Sequence, residues 1–240
     1  MMIIPATTLT AMAMSTEARQ LMRLQSWLSP AFPIGSFSYS HGLEYAVEAE
    51  LLHDRGSLIN WLEADLRHGT GRSEAIFFTL AATLDDGNFL ELAELAAASI
   101  STSELARESL SQGEFFLLTA LRAWPNAALR ARLELLRKTD IAPTLAVATA
   151  MTCTAHGIDT NAALHLYLQA WLANLINAAV RLIPLGQTDG QMAQAELEDA
   201  VIATAMAAST LGIEDLGSAA TMVEWASMLH EIQYTRLFRS

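Results

Sequence analysis

Ser29-Pro30-Ala31-Phe32-Pro33-Ile34-Gly35-Ser36-Phe37-Ser38-Tyr39-Ser40-His41-Gly42-Leu43-Glu44 interrupts a chain otherwise rich in alanine and leucine. Pro30 and Pro33 each remove a backbone donor and push the preceding residue out of helical geometry. Gly35 and Gly42 open dihedrals that other residues avoid, and the serines compete with a helix ladder by bonding locally to backbone. The segment therefore reads as ordered but non-helical, carrying Phe32, Phe37 and Tyr39. Aromatic side chains on irregular backbone have to pack on their own fold or on a partner.

On both sides of this segment helix signals recur, and no stretch sustains period-2 alternation. The fold class is all-α: a single compact multi-helix domain of about ten helices with no β-sheet. Residues 17–28 form the first helix, stopped by Ser29-Pro30, and a short helix covers 43–50. Ser57 caps a helix running to His68, and Gly69-Thr70-Gly71 separates it from another at 74–84. Asn88 with Glu91 opens the next, and Ser101 with Glu104 makes a capping box for a long helix to Ala123. Asn126 starts a helix to Lys138, and Pro143 suits the first position of one that ends at Gly157. Asp159 or Thr160 caps a helix reaching Ile183; Thr188 with Gln191 opens one through Leu211, and the last runs from Ser218 to Leu229. Residues 1–16 read as a loose N-terminal extension with no basic region of a signal peptide. The domain spans 17–240 and includes a tail at 230–240.

Hydrophobic residues make up 52 % of the 240 and charged residues 17 %, with a mean hydropathy of +0.28. The one stretch worth testing as a membrane span, 161–183, contains Asn161, His165, Gln169, Asn174, Asn177 and Arg181. That is too polar for a span of about 20 apolar residues. The first three of these lie on one side of a helix and the last three roughly opposite, as in a buried helix passing between neighbours. Excess apolar surface then points to burial between chains, in an oligomer or a complex. A net charge of −12 argues against non-specific nucleic-acid binding. The single cysteine, Cys153, excludes an intrachain disulfide and fits a reducing compartment, so a cytoplasmic location is expected.

Enzyme signatures are missing. No P-loop occurs, Gly69-Thr70-Gly71 lacks the third glycine of a dinucleotide site, and no strand presents Ser36 or Ser38 as a nucleophile elbow. Cys153 and His156 share a helix face, as do His41 and Glu44, but neither pair has a third ligand nearby in sequence. The acidic residues mostly read as exposed helix positions. Two features stay unexplained by a plain helical domain. One is the turn around Arg181, with Gln187 and Gln191 placed to satisfy its backbone groups. The other is the tail with His230, Tyr234, Arg236, Phe238 and Arg239, an aromatic and cationic terminus in an acidic chain. Tyr and Arg dominate interface hot spots, so the tail is expected to dock.

The 29–44 segment, Glu108-Ser109-Leu110-Ser111-Gln112-Gly113, the stretch from Arg181 to Gln191, and His230-Glu231 with Tyr234 to Ser240 stand in one order along the chain. Together they resemble the UreF family of urease accessory proteins. The resemblance implies an all-helical, homodimerising, non-enzymatic chaperone for nickel insertion into urease. It implies binding to UreD (also called UreH), recruitment of the GTPase UreG, and action on the urease apoprotein, with no role for nucleic acid or membrane. No tightly bound cofactor is expected; the assembled complex handles nickel, and UreG handles GTP. The partner-binding residues expected are Phe37, Tyr39, Glu44, Arg181, Gln187, Gln191, His230, Tyr234, Arg236, Phe238 and Arg239. Arg236 or Arg239 is expected to bond carbonyls of the 29–40 segment and so form a composite surface facing UreG. Where the family often has a histidine before the proline at 143, this chain has Ala142, with no glycine over 146–150, so no nickel role is assigned there. The alternative is a metallochaperone holding nickel itself through Cys153, His156 or His230.

Overall fold

The computed structural model describes residues 6–240, which form helices and no strand. α1 spans Ala6–Trp27, α2 Leu43–Glu48, α3 Arg55–His68, α4 Thr70–Thr83, α5 Asp86–Ala98 and α6 Ser103–Ala123. α7 covers Ala127–Lys138, α8 Leu145–Ala155, α9 Thr160–Leu182, α10 Gln187–Glu196, α11 Glu198–Ala208 and α12 Thr221–His230. Short 3-10 turns occupy Ser36–Ser38 and Ile213–Asp215. The 29–42 segment is non-helical apart from the first of these turns, as its prolines and glycines dictate.

α8 is the axle of the fold. Ala146 through Cys153 are all buried, so this helix has no polar face and must be covered on every side. α4, α6, α7 and α9 cover it. Its alanines and threonines keep the neighbours close, and one glycine brings α6 closer still. A Cβ on Gly113 would lie 2.2 Å from the Pro143 carbonyl oxygen, where no carbon fits. The Ser109 hydroxyl, on the same stretch of α6, accepts the Leu145 N–H at 3.2 Å.

α9 behaves as the buried helix its changing polar stripe suggests, with Ala163, Tyr167 and Leu168 buried in its first half and Leu175, Ile176 and Ala179 in its second. Its later polar residues turn toward the irregular segment: Asn174 Nδ2 donates to the Ser36 carbonyl at 3.2 Å. Among the described residues no helix is long and apolar enough to cross a membrane.

Several helix starts differ from the sequence expectation, two of them because groups from far along the chain hold them. α1 begins at Ala6 rather than Glu17; the Ala- and Met-rich run before Glu17 favours helix, so residues 6–16 continue it, and 1–5 lie outside the described residues. α4 starts directly after Gly69, because the Asp65 carboxylate accepts the Thr70 N–H at 2.7 Å. Asp85, not Asn88, caps α5. Thr144, not Pro143, heads α8. The expected Ser101–Glu104 capping box is replaced by Thr102, whose hydroxyl accepts the Leu105 N–H, and by the Glu231 carboxylate from the far end of the chain. Glu231 accepts the Ser103 and Glu104 N–H groups at 2.8 and 3.2 Å. The Gly186 N–H is taken by Asp189, and the expected 188–211 helix breaks at the buried Leu197 into α10 and α11. α12 begins at Thr221, because the Ala219 N–H is held by the His68 carbonyl at 2.7 Å.

Candidate functional site

The tail closes over the irregular segment. Backbone bonds join them directly: Arg239 N–H donates to the Ser38 carbonyl at 2.8 Å, and Ser40 N–H to the Ser240 carbonyl at 2.7 Å. The Ser40 hydroxyl donates to the same carbonyl at 2.5 Å. Gly42 lets this segment press on α12. Its φ of +78° lies in the left-handed region, and a Cβ there would sit 2.6 Å from the Ser227 nitrogen.

Three carboxylates clamp the tail from beneath. Glu44, in the first turn of α2, accepts the N–H groups of Leu237 and Phe238 at 2.6 and 2.9 Å. Glu104, in the first turn of α6, accepts from His230 Nδ1 at 2.7 Å and from the Arg236 guanidinium. A carboxylate only accepts, so the Nδ1 of His230 carries the proton. One turn along α6, Glu108 accepts the Ser240 hydroxyl at 2.7 Å and Gln112 Nε2 at 2.9 Å, with His41 Nε2 at 3.1 Å. Burial works against a charge on His41, but the adjacent Glu108, together with Asp65 and Glu74, outweighs it and holds the imidazole above its ordinary value. The structure thus buries Glu104 and Glu108, and likewise Asp65, as exceptions among acidic side chains that otherwise lie mostly on exposed faces, as expected.

Arg181 completes the junction from α9. Its Nη2 donates to the Phe37 carbonyl at 2.6 Å, and its guanidinium lies over the Phe238 ring, 4.3 Å from the centroid. A guanidinium so placed gains from the ring quadrupole as well as from the carbonyl. The expectation that Arg236 or Arg239 bonds the segment's carbonyls with its guanidinium is therefore corrected. Arg181 supplies that bond, Arg239 contributes only its backbone N–H, and Arg236 turns inward to Glu104 and the His230 carbonyl.

Of the residues singled out in the sequence, Phe37, Glu44, Arg181, His230, Arg236, Phe238 and Arg239 meet at this junction. Phe238 is buried in it, whereas Phe37 and Leu237 remain 69 % and 67 % exposed and Tyr234 fully so. Tyr39 is half-buried beside them. Gln187 and Gln191 are exposed on α10, and the turn bond expected of them is made by Asp189. Sequence reasoning passed over Glu104, Glu108 and Gln112 as a stripe. They step by four along α6 into Phe116 and Ala120, all buried, and an apolar stripe that turns polar at one end marks a buried polar junction.

The alternative metal ligands do not converge. Burial pushes the Cys153 thiol up to about 12, far from the thiolate a metal requires. His156 Nδ1 meets the Arg23 guanidinium at 2.9 Å, and burial together with that charge lowers the imidazole's pKa. His230 is held by Glu104, with Glu44 3.5 Å from its other nitrogen. Among the described residues no three His, Cys, Asp or Glu side chains are grouped as a metal site.

The profile of the UreF family matches residues 52–198. A urease accessory protein UreF of Rhodopseudomonas palustris strain TIE-1 is 44 % identical over 228 residues, covering 93 % of this chain and 94 % of the relative. One from strain BisB5 is 42 % identical over 240 residues, 98 % of each chain. The urease accessory protein UreF of Bradyrhizobium diazoefficiens strain USDA 110 is 43 % identical over 228 residues, 93 % of each.

Proposed function

This chain belongs to the UreF family of urease accessory proteins, and from that premise we propose that it is a non-enzymatic scaffold in urease maturation. In this reading it binds UreD (UreH), recruits the GTPase UreG, and brings both to the urease apoprotein so that nickel is inserted. Nickel is cargo of the assembled complex and GTP belongs to UreG; the chain itself carries neither, works as a homodimer, and acts in the cytoplasm.

One observation carries the proposal: the tail is anchored by three carboxylates beneath it while its outward side chains stay bare. Glu44, Glu104 and Glu108 hold residues 236–240 in place, and the same docking leaves Phe37, Tyr234 and Leu237 exposed. Ordering a terminus costs conformational entropy, and an ordered apolar rim around an arginine has the composition of a hot spot. Large apolar side chains are also exposed on other helices, among them Leu21, Met206 and Trp225, as expected of a subunit covered on several sides.

The test is size-exclusion chromatography with light scattering on the full chain, alone and mixed with UreD, UreG and urease apoprotein. A complex requiring all components, lost in a Phe37→Asp, Leu237→Asp variant that keeps its helical circular dichroism, supports the scaffold. Absence of any complex from well-folded protein overturns it.

A further inference from the structure

A cavity of about 430 Å³ lies behind the irregular segment, between it and α4, α6 and α9. Trp27, Phe77, Phe116 and Trp171 are among its walls. Among the described residues that line it, three glutamates, Glu74, Glu108 and Glu224, and one histidine, His41, are the only titratable side chains other than Tyr167, and none is an arginine or lysine. Such a wall repels anions and favours a cation, whose charge also gains from aromatic faces.

Three buried polar atoms of lining residues have no hydrogen-bond partner among the described residues: the Thr149 hydroxyl, His41 Nδ1 and the Trp27 indole nitrogen. Thr149 is 1 % exposed and stands on α8, at the core of the fold. A buried hydroxyl without a partner costs free energy that a ligand recovers. Glu74 accepts the Tyr167 hydroxyl, which occupies one of its two oxygens. Burial raises the pKa of Glu74, so this carboxylate gains from a cation beside it.

A bare divalent metal does not suit this lining. The carboxylates are dispersed rather than grouped, and no three His, Cys, Asp or Glu side chains among the described residues form a metal cluster. Apolar walls with a few polar groups suit a small organic ligand.

We infer that this cavity is a binding site for a small organic ammonium ion with an apolar body, its head toward Glu74 and Thr149 and its body against the aromatic walls. Ser29, Pro30, Ile34 and Ser36 of the irregular segment also line the cavity, so an occupant braces the segment on which the tail docks. This site is independent of the urease reading, and neither test bears on the other.

Protonated phenethylamine is the probe and 2-phenylethanol its neutral counterpart, titrated calorimetrically into the full chain at pH 7. Saturable one-to-one binding of the amine, at least tenfold tighter than the alcohol, is expected. Thr149→Val removes only an unpartnered hydroxyl, so it should keep or raise the melting temperature while weakening amine binding at least threefold. Glu74→Gln should abolish the preference for amine over alcohol. Equal affinity for amine and alcohol overturns the proposal, as does absence of saturable binding by either up to millimolar concentration. Displacement of the amine by micromolar nickel overturns it in favour of a metal site.

Discussion

His230 at the end of α12 and Glu104 in the first turn of α6 meet at 2.7 Å, and the histidine is completely buried. Glu104 sits at a helix N-terminus, the end that favours a carboxylate, and His230 at the last turn of α12. Since Glu231, the next residue after His230, caps that same α6 terminus, one turn of chain both closes α6 and aims the tail. Glu104→Ala leaves His230 and Arg236 without their acceptor and should cost about 3 kcal/mol. Urea denaturation measures it; a loss below about 1 kcal/mol would show that water replaces the carboxylate.

Glu44 hydrogen-bonds the tail through the backbone N–H groups of Leu237 and Phe238, with His230 Nε2 farther off at 3.5 Å, so its effect should be local. In Glu44→Ala the amides of Leu237 and Phe238 should exchange much faster with deuterium, while global stability changes by about 1 kcal/mol. Unaltered exchange at both amides would mean that the bonds to Ser38 and Ser40 hold the tail unaided.

Gly113 reverses the usual helix preference. At an ordinary interior position alanine outdoes glycine by about 1 kcal/mol. Here its methyl would enter the Pro143 carbonyl, and overpacking of this kind costs about 2 kcal/mol. Gly113→Ala should therefore lower the melting temperature, and a rise in it would falsify the close approach of α6 to the α8 entry.

Asp65 couples the core to pH. Burial raises its pKa from 3.8 to about 6, against the pull of His41 and of the Thr70 N–H. A carboxyl whose folded pKa is raised favours the folded state below its unfolded value, and that advantage is lost as pH rises through the folded one. Between about pH 4 and 6 wild type should lose stability relative to Asp65→Asn, whose amide oxygen can still accept from Thr70. The full difference corresponds to about 3 kcal/mol. Denaturant titrations of both proteins from pH 4 to 7.5 read it directly, and a gap independent of pH would place Asp65 at an ordinary value.

Part of the docking site was legible before the fold was known. Phe37, Arg181, Arg236 and Phe238 stood out because aromatic and cationic residues are costly to leave on irregular or terminal backbone. Their partners were not legible. The pairing of Arg181 with Phe37 spans 144 positions, and nothing local to either residue names the other. The sequence suggests Arg236 or Arg239 for a carbonyl of the irregular segment, yet Arg236 meets Glu104, because α12 delivers the tail beside the N-terminus of α6.

What the chain determined by itself is what local physics reaches. Prolines and glycines forbid helix over 29–42, apolar periodicity demands it elsewhere, and the polarity of 161–183 rules out a simple span. These follow from dihedral limits and from the period of burial, which operate over a turn or two. Tertiary structure alone decided where helices begin when their caps come from afar, as with Glu231 over Ser103, and which carboxylates are buried. A glutamate on a helix is cheap in water and costly in a core unless donors surround it. Glu104 and Glu108 are buried because the fold brings His230, Arg236, His41 and Ser240 to them, a convergence that exists only once distant segments have packed.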